Sequence, residues 1–174
     1  MRHTSIGASV VLLALACSPA SAANQTYTND RFLYSVDYPE AWKVKEVSTV
    51  TTFLSPRESV DDPFAENVAV VVEDLSQVPM NISLVDYHRK SISNAPSTLP
   101  DFKVLEEAKT EFDDRECIAV LYTARLKGEK FKFKSYTLMV GKDAYTLTFT
   151  ALEPDFDRFL PAAEKVMRSL RVSP

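Results

Sequence analysis

The sequence predicts an α+β domain built on a mostly antiparallel β-sheet flanked by helices. Three observations predict it. Four β-like runs joined by three short polar turns fill residues 102–152, the pattern of an antiparallel meander. The run at residues 68–72 is apolar on both faces, which marks a central strand covered on both sides. Two stretches, 83–95 and 156–170, carry apolar residues at helical spacing, one between the two groups of strands and one after them.

The chain opens with "MRHTSIGASVVLLALACSPASAAN". Arg2 supplies a positive start, an apolar run ends at Cys17, and Ala20-Ser21-Ala22 is a small-x-small cleavage site, so residues 1–22 read as a secretory signal. The run is too short for a spanning helix, which needs about 20 apolar residues. "ALAC" also resembles a lipobox, although Ala14 and Leu15 stand where that motif wants Leu and a small residue. A second reading is therefore a lipoprotein signal of residues 1–16 with Cys17 as the lipidated residue. Either cut leaves one domain at residues 23–174, large enough for its own core. The expected location is outside the cytoplasm, periplasmic or secreted, or anchored by lipid at Cys17, with no transmembrane helix in the mature chain.

The elements follow in order. Residues 24–30 read as a polar leader. In "FLYSVDYPEAWKV", Phe32, Tyr34, Val36 and Tyr38 share one face at period two. Pro39 ends that strand because it has no N–H to give, and Trp42, the only tryptophan, is expected under the corner as a core anchor. Short strands at 42–47 and 50–55 come next, then a charged loop at 56–67 bracketed by prolines, then the central strand from Val68. Ser83, with Asp86 three residues on, resembles a capping box for the first helix. Val85, His88, Ile92 and Ala95 form its inner stripe, widened by Leu84 and Tyr87, and Pro96 stops it. Gly128 and Gly141 fall in turns of the meander, where a positive φ is cheap for glycine. The last segment predicts a turn from Asp155 and a helix from about Leu160 with Pro161 in its first turn.

Composition excludes several chemistries. The chain carries 20 Lys+Arg against 24 Asp+Glu, and losing residues 1–22 would remove Arg2. That balance lacks the basic footprint of general nucleic-acid binding. Three glycines allow neither a GxGxxG nor a GxxxxGK[ST] loop, and there is no GxSxG elbow. Beyond the leader the histidine is His88 and the cysteine is Cys117, too few for a His/Cys zinc site. Cys117 reads as a buried small hydrophobe and His88 as a satisfied helix histidine. Asp61, Asp62 and Glu66, and Asp113, Asp114 and Glu116, are two carboxylate clusters able to offer oxygen ligands to a hard cation such as calcium. They read first as solvated acidic loops. No catalytic, cofactor-binding or metal-ligating residue is assigned, and the expectation is a protein that is not an enzyme.

One basic feature stands out. In "KGEKFKFKS", Lys130, Lys132 and Lys134 leave one face of a strand and Phe131 and Phe133 the other, with Lys127 in the adjoining turn. This is a candidate docking surface for an anionic partner or lipid head groups. It reads first as an exposed strand face kept soluble by lysines, which also block edge pairing.

Four pieces together resemble the PsbP family of the Mog1/PsbP-like superfamily: "FLYSVDYPEAWKV", "NVAVVVEDL", "YTLTFTALEPDFDRF" and the ending "VMRSLRV". The resemblance implies an antiparallel sheet between helices, an α/β/α sandwich, in agreement with the reading above. It implies no single activity. Plant-type members are lumenal subunits that help photosystem II retain calcium and chloride, and cyanobacterial relatives are lipid-anchored. Bacterial relatives include periplasmic proteins and lipoproteins. Others bind a small nuclear GTPase or act as secretion chaperones, roles that an export signal disfavours. The resemblance thus implies a non-enzymatic accessory or binding protein of the bacterial envelope, working through a protein partner or a membrane surface. The alternative is a photosystem II accessory subunit with a calcium-related role.

Overall fold

The computed structural model describes residues 24–78 and 82–173. The signal segment and Cys17 lie outside the described residues. Among these residues, ten strands and two α-helices follow one another as β1 (Asn24–Asn29), β2 (Tyr34–Pro39), β3 (Lys43–Val47), β4 (Val50–Leu54), β5 (Asn67–Asp74), α1 (Leu84–Asn94), β6 (Lys103–Phe112), β7 (Arg115–Leu126), β8 (Glu129–Val140), β9 (Asp143–Leu152), α2 (Phe156–Arg168) and β10 (Arg171–Val172). Seven strands form an antiparallel sheet in the order β3-β4-β5-β9-β8-β7-β6. β5 and β9 lie inside it, as the two-faced apolar run of β5 requires. A smaller sheet has the order β1-β2-β10.

The four-strand meander is as expected, and its turns explain its register. Asp113-Asp114 and Lys127-Gly128 have positive φ at both positions, the form whose twist matches two flanking strands. At Gly141-Lys142 only the glycine does, with φ of 62°. Period two then sorts the side chains. Tyr145, Leu147, Phe149 and Ala151 of β9 join Val68, Val70 and Val72 of β5 in the main core. Phe156, Ala163, Val166 and Met167 of α2 close that core from above, together with Tyr34 and Val36 of β2. α1 covers the opposite face with a smaller apolar cluster around Leu84, Ile118 and Val120. The layers are α1, the large sheet, then α2 beside the small sheet.

Two expectations change. Residues 24–30 are not a leader: β1 pairs with β2 along its whole length, from Asn24 opposite Pro39 to Asn29 opposite Tyr34. Its mostly exposed polar side chains suit an edge strand, where the backbone ladder supplies the pairing. α2 also starts earlier than expected, at Phe156, so Pro161 lies inside the helix. Proline there removes the bond to the carbonyl of Asp157. Asp157 is at the exposed start of the helix, where water can replace that bond, and buried Phe156 holds the first turn down. At the other end, the Ser169 hydroxyl accepts from the Asp37 N–H at 2.8 Å and has its one proton within reach of the carbonyls of Val166, at 2.7 Å, and Asp37, at 3.0 Å. That clasp fixes the end of α2 to β2 before the chain turns into β10.

Trp42 sits where expected. Its N–H bonds the Pro39 carbonyl at 2.8 Å, closing a turn between the small sheet and the large one. Its side chain is buried in the main core. Ser83 caps the helix as expected, its hydroxyl accepting from the Asp86 N–H, but the return half of the box differs: the Asp86 carboxylate accepts from the Ser83 hydroxyl at 2.6 Å. α1 ends at Asn94, and Pro96 falls in a single 3-10 turn, Ala95–Ser97, that continues it.

Candidate functional site

The lysine strand is β8, and its two faces diverge as the alternation predicts. Phe131 and Phe133 are buried on the α1 side with Ala124. The lysines face α2, and each meets a carboxylate of the same chain. Lys130 lies 2.7 Å from Glu153, Lys132 3.2 Å from Asp157 and Lys134 2.5 Å from Glu164. Lys132 also sits over the Phe156 ring, 4.5 Å from its centroid. Glu164 further accepts from Arg168 at 3.1 Å and from the Tyr136 hydroxyl at 2.9 Å. Burial pulls the Lys134 ammonium down, but Glu164 outweighs it and holds its pKa above the ordinary lysine value. Burial, then the Glu164 hydrogen bond, pushes the Tyr136 phenol up. Lys127, in the β7–β8 turn, has no carboxylate within ion-pair distance among the described residues.

That turn meets the charged loop at 56–66. The Phe64 ring packs edge-on against Phe131, centroids 4.8 Å apart. Between them opens a hollow of about 520 Å³ lined by Pro63, Phe64, Leu126, Phe131 and Leu152, with Lys127 and Glu129 among the lining residues. Two regions that the sequence marks separately, the loop and the lysine hairpin, thus share one apolar hollow at one end of the sheet. Arg158 of α2 braces the loop through Glu58 and Asp155. Phe64 and Leu126 escaped notice in the sequence. The one signal for Phe64 is an aromatic residue alone in an otherwise charged loop.

The carboxylate clusters do not converge. Asp62 accepts backbone N–H bonds from Glu58 and Phe64, which hold its carboxyl below the usual range. Asp113 pairs with Arg115, and Glu116 with Lys109. No group of three or more His, Cys, Asp or Glu side chains is gathered for a metal ion among the described residues. Glu66 turns inward instead. It is 3% exposed, with the Ser55 hydroxyl 3.3 Å from its carboxylate, and burial pushes its pKa up.

A carboxyl whose pKa is raised by folding binds its proton more tightly in the folded state. Its ionisation therefore weakens the fold as pH rises from the ordinary carboxylate value near 4.5 through the raised folded value. Glu66→Gln removes that penalty. The variant is expected to melt higher than wild type at pH 7, with the gap closing as pH falls below the ordinary carboxylate value. Melting curves across that range check it, and an equal gap at all pH values would contradict it.

Cys117 is fully buried, and burial pushes its thiol up to about 11, far from the thiolate a nucleophile needs. His88 is buried on the inner face of α1, but not satisfied as expected. Its Nε2 lies 3.2 Å from a Glu107 carboxylate oxygen, yet off the line a hydrogen bond needs, and so has no hydrogen-bond partner. The angle decides here, because a misaligned donor gains little.

No known protein family and no curated protein matches the sequence. Solved structures do match in shape. A Pseudomonas aeruginosa protein of unknown function, PA94, described as a putative regulator, is 18% identical with a TM-score of 0.64, over 87% of this chain and 98% of its own. Cyanobacterial PsbP (CyanoP) from Synechocystis is 16% identical with a TM-score of 0.65, over 92% and 99%. LpqN of Mycobacterium tuberculosis, described as involved in cell envelope biogenesis, is 13% identical with a TM-score of 0.59, over 87% and 92%. At these identities the likeness shows the fold: this chain has a PsbP-like fold across nearly its whole length. No helix among the described residues is long and apolar enough to cross a membrane.

Proposed function

We propose that this protein is an exported, non-enzymatic accessory protein of the bacterial envelope that binds a protein partner through the hollow between the 56–66 loop and the β7–β8 turn. The hollow carries the reading. An open apolar concavity with charged residues beside it suits one or two large apolar side chains of a partner, the usual anchors of an interface. Lys127 and Glu129 offer both signs of charge beside it, which favours a polar protein rim over an anionic lipid surface. The lysine face supports the same choice. Lys130, Lys132 and Lys134 already meet carboxylates, so little net positive field remains there to draw in lipid head groups. The likeness in shape to LpqN, itself described as involved in cell envelope biogenesis, and the leader at residues 1–22 support the location. The free form would begin at Ala23, whereas the anchored form would begin at a lipidated Cys17.

The test separates the two surfaces. Purified protein is cross-linked to membranes of the source cells as wild type, as Leu126→Glu, and as the triple variant Lys130→Gln, Lys132→Gln, Lys134→Gln. The expected result is a protein adduct of defined mass that Leu126→Glu loses and the triple variant keeps. Loss in the triple variant alone would return the docking surface to the lysine face. Equal binding of all three to vesicles of anionic lipid, with no protein adduct, would contradict a protein partner.

The photosystem reading rests on the likeness to CyanoP over 92% of the chain. It predicts heat of binding when calcium is titrated into the folded protein. A flat titration would remove the calcium-related role.

A further inference from the structure

Beneath α1 the large sheet turns a polar face to its covering helix. A helix normally packs on an apolar sheet surface. Here Ser135 stands opposite Thr148, and Thr137 opposite Thr146, a two-by-two block of hydroxyls at the middle of the sheet. The Thr137 and Thr146 oxygens are 3.3 Å apart, and Ser135 and Thr137 are buried. α1 does not press onto this floor. A cavity of about 260 Å³ separates them, walled by Tyr87, His88, Phe102 and Tyr122 as well as aliphatic side chains.

His88 lines this space from α1. The residue is 6% exposed, and its Nε2 has no hydrogen-bond partner. A buried polar group left this way is destabilising unless another polar group meets it. Tyr122 stacks on Phe133, centroids 4.7 Å apart with an interplanar angle of 6°, so its ring is held rigidly. Burial pushes its phenol up to about 12, which keeps it a neutral donor.

We propose that this cavity binds a small neutral polyhydroxylated molecule, of monosaccharide size, between the hydroxyl floor and His88. The ligand's hydroxyls meet Ser135, Thr137, Thr146 and Thr148, and its C–H groups lie against the aromatic wall of Tyr122 and Phe102. Charge selects against other ligands. Neither lysine nor arginine lines the cavity, while Glu107 stands beside His88 and Glu73 accepts from the Tyr87 hydroxyl at 2.8 Å. Anions are therefore repelled. A zinc ion would find one imidazole and one carboxylate, short of the three protein ligands it needs.

His88 and Tyr122 report binding directly. Their ring resonances are followed by NMR in the intact protein as D-glucose or myo-inositol is titrated to about 100 mM, far above a millimolar Kd. Phenol, inorganic phosphate and zinc serve as separate comparison titrants. Both rings are expected to shift saturably with at least one polyol. The double variant Thr146→Val, Thr148→Val keeps the shape and removes two hydroxyls, and is expected to bind about tenfold more weakly or worse. Its melting curve establishes that it is folded, and Leu105→Ala, on the edge strand β6, is expected to bind as wild type. Shifts with phenol, phosphate or zinc but with neither polyol would overturn the proposal. So would rings that move with no titrant, which would mean the cavity holds water only, or equal affinity in the double variant.

Discussion

Trp42→Ala is expected to destabilise the protein by about 3–5 kcal/mol, which for a domain of this size lowers the melting temperature by roughly 6–20 °C. Trp42 is the largest side chain at the one corner where the chain leaves the small sheet for the large one. β2 ends at Pro39, the turn closes through the Trp42 N–H, and β3 begins at Lys43. The indole is 8% exposed and belongs to the main core. Truncation thus loses apolar burial and leaves a void between two layers that cannot close without moving a sheet. Trp42→Phe fills much of that void and should recover a good part of the loss. Thermal and denaturant melts of the two variants check the ordering. A Trp42→Ala protein that melts like wild type would mean that the corner is not part of the core.

Phe156→Ala should cost a similar amount, about 3–5 kcal/mol, for a different reason. Phe156 is 1% exposed, 5.1 Å from Phe149 between ring centroids, and beneath the Lys132 ammonium. It pins the first turn of α2, whose hydrogen-bond ladder is already interrupted by Pro161. The variant therefore loses core volume and frees the weakest part of the helix. Denaturant melts give the stability, and amide exchange locates the effect. Protection is expected to fall first at Arg158 and Phe159, whose N–H groups bond the Asp155 carbonyl. If the helix began at Leu160, as its proline position suggests from sequence alone, Phe156 would lie in a solvated turn and its truncation would cost little.

That contrast marks where sequence patterns carry and where they stop. The meander is legible because each strand alternates at period two and each turn has residues suited to its backbone. β5 is legible because Val68 to Val72 is apolar on both faces. β1 is not, because NQTYTN has no apolar alternation and its strand exists only through pairing with β2. The start of α2 is hidden because proline at an early helical position is the common case, and only the burial of Phe156 reveals the extra turn.

The site divides the same way. The split of lysines and phenylalanines across β8 follows from local geometry. Glu153 meets Lys130 where the β8–β9 ladder ends, but Asp157 and Glu164 lie 25 and 30 residues beyond their lysines, so those two pairings depend on how α2 docks. Phe64 and Leu126 are 62 positions apart in the numbering and meet in one hollow only in the folded chain. Likewise, Thr146 and Thr148 at every second position read as an ordinary solvent face. Only the placement of α1 makes them a cavity floor, and only its geometry leaves the His88 nitrogen unpaired.

The central claim is that the hollow beside the β7–β8 turn contacts a partner protein in the envelope. The most direct measurement places a photo-crosslinking amino acid at Leu126 and, separately, at exposed Leu105 on the edge strand β6, beside β7 but set back along it from the hollow, in cells of the source organism. The account predicts one discrete protein adduct from position 126 that position 105 does not give, and that Phe64→Ser abolishes while leaving the protein folded. Adducts of equal yield from both positions, or none from position 126, would contradict it.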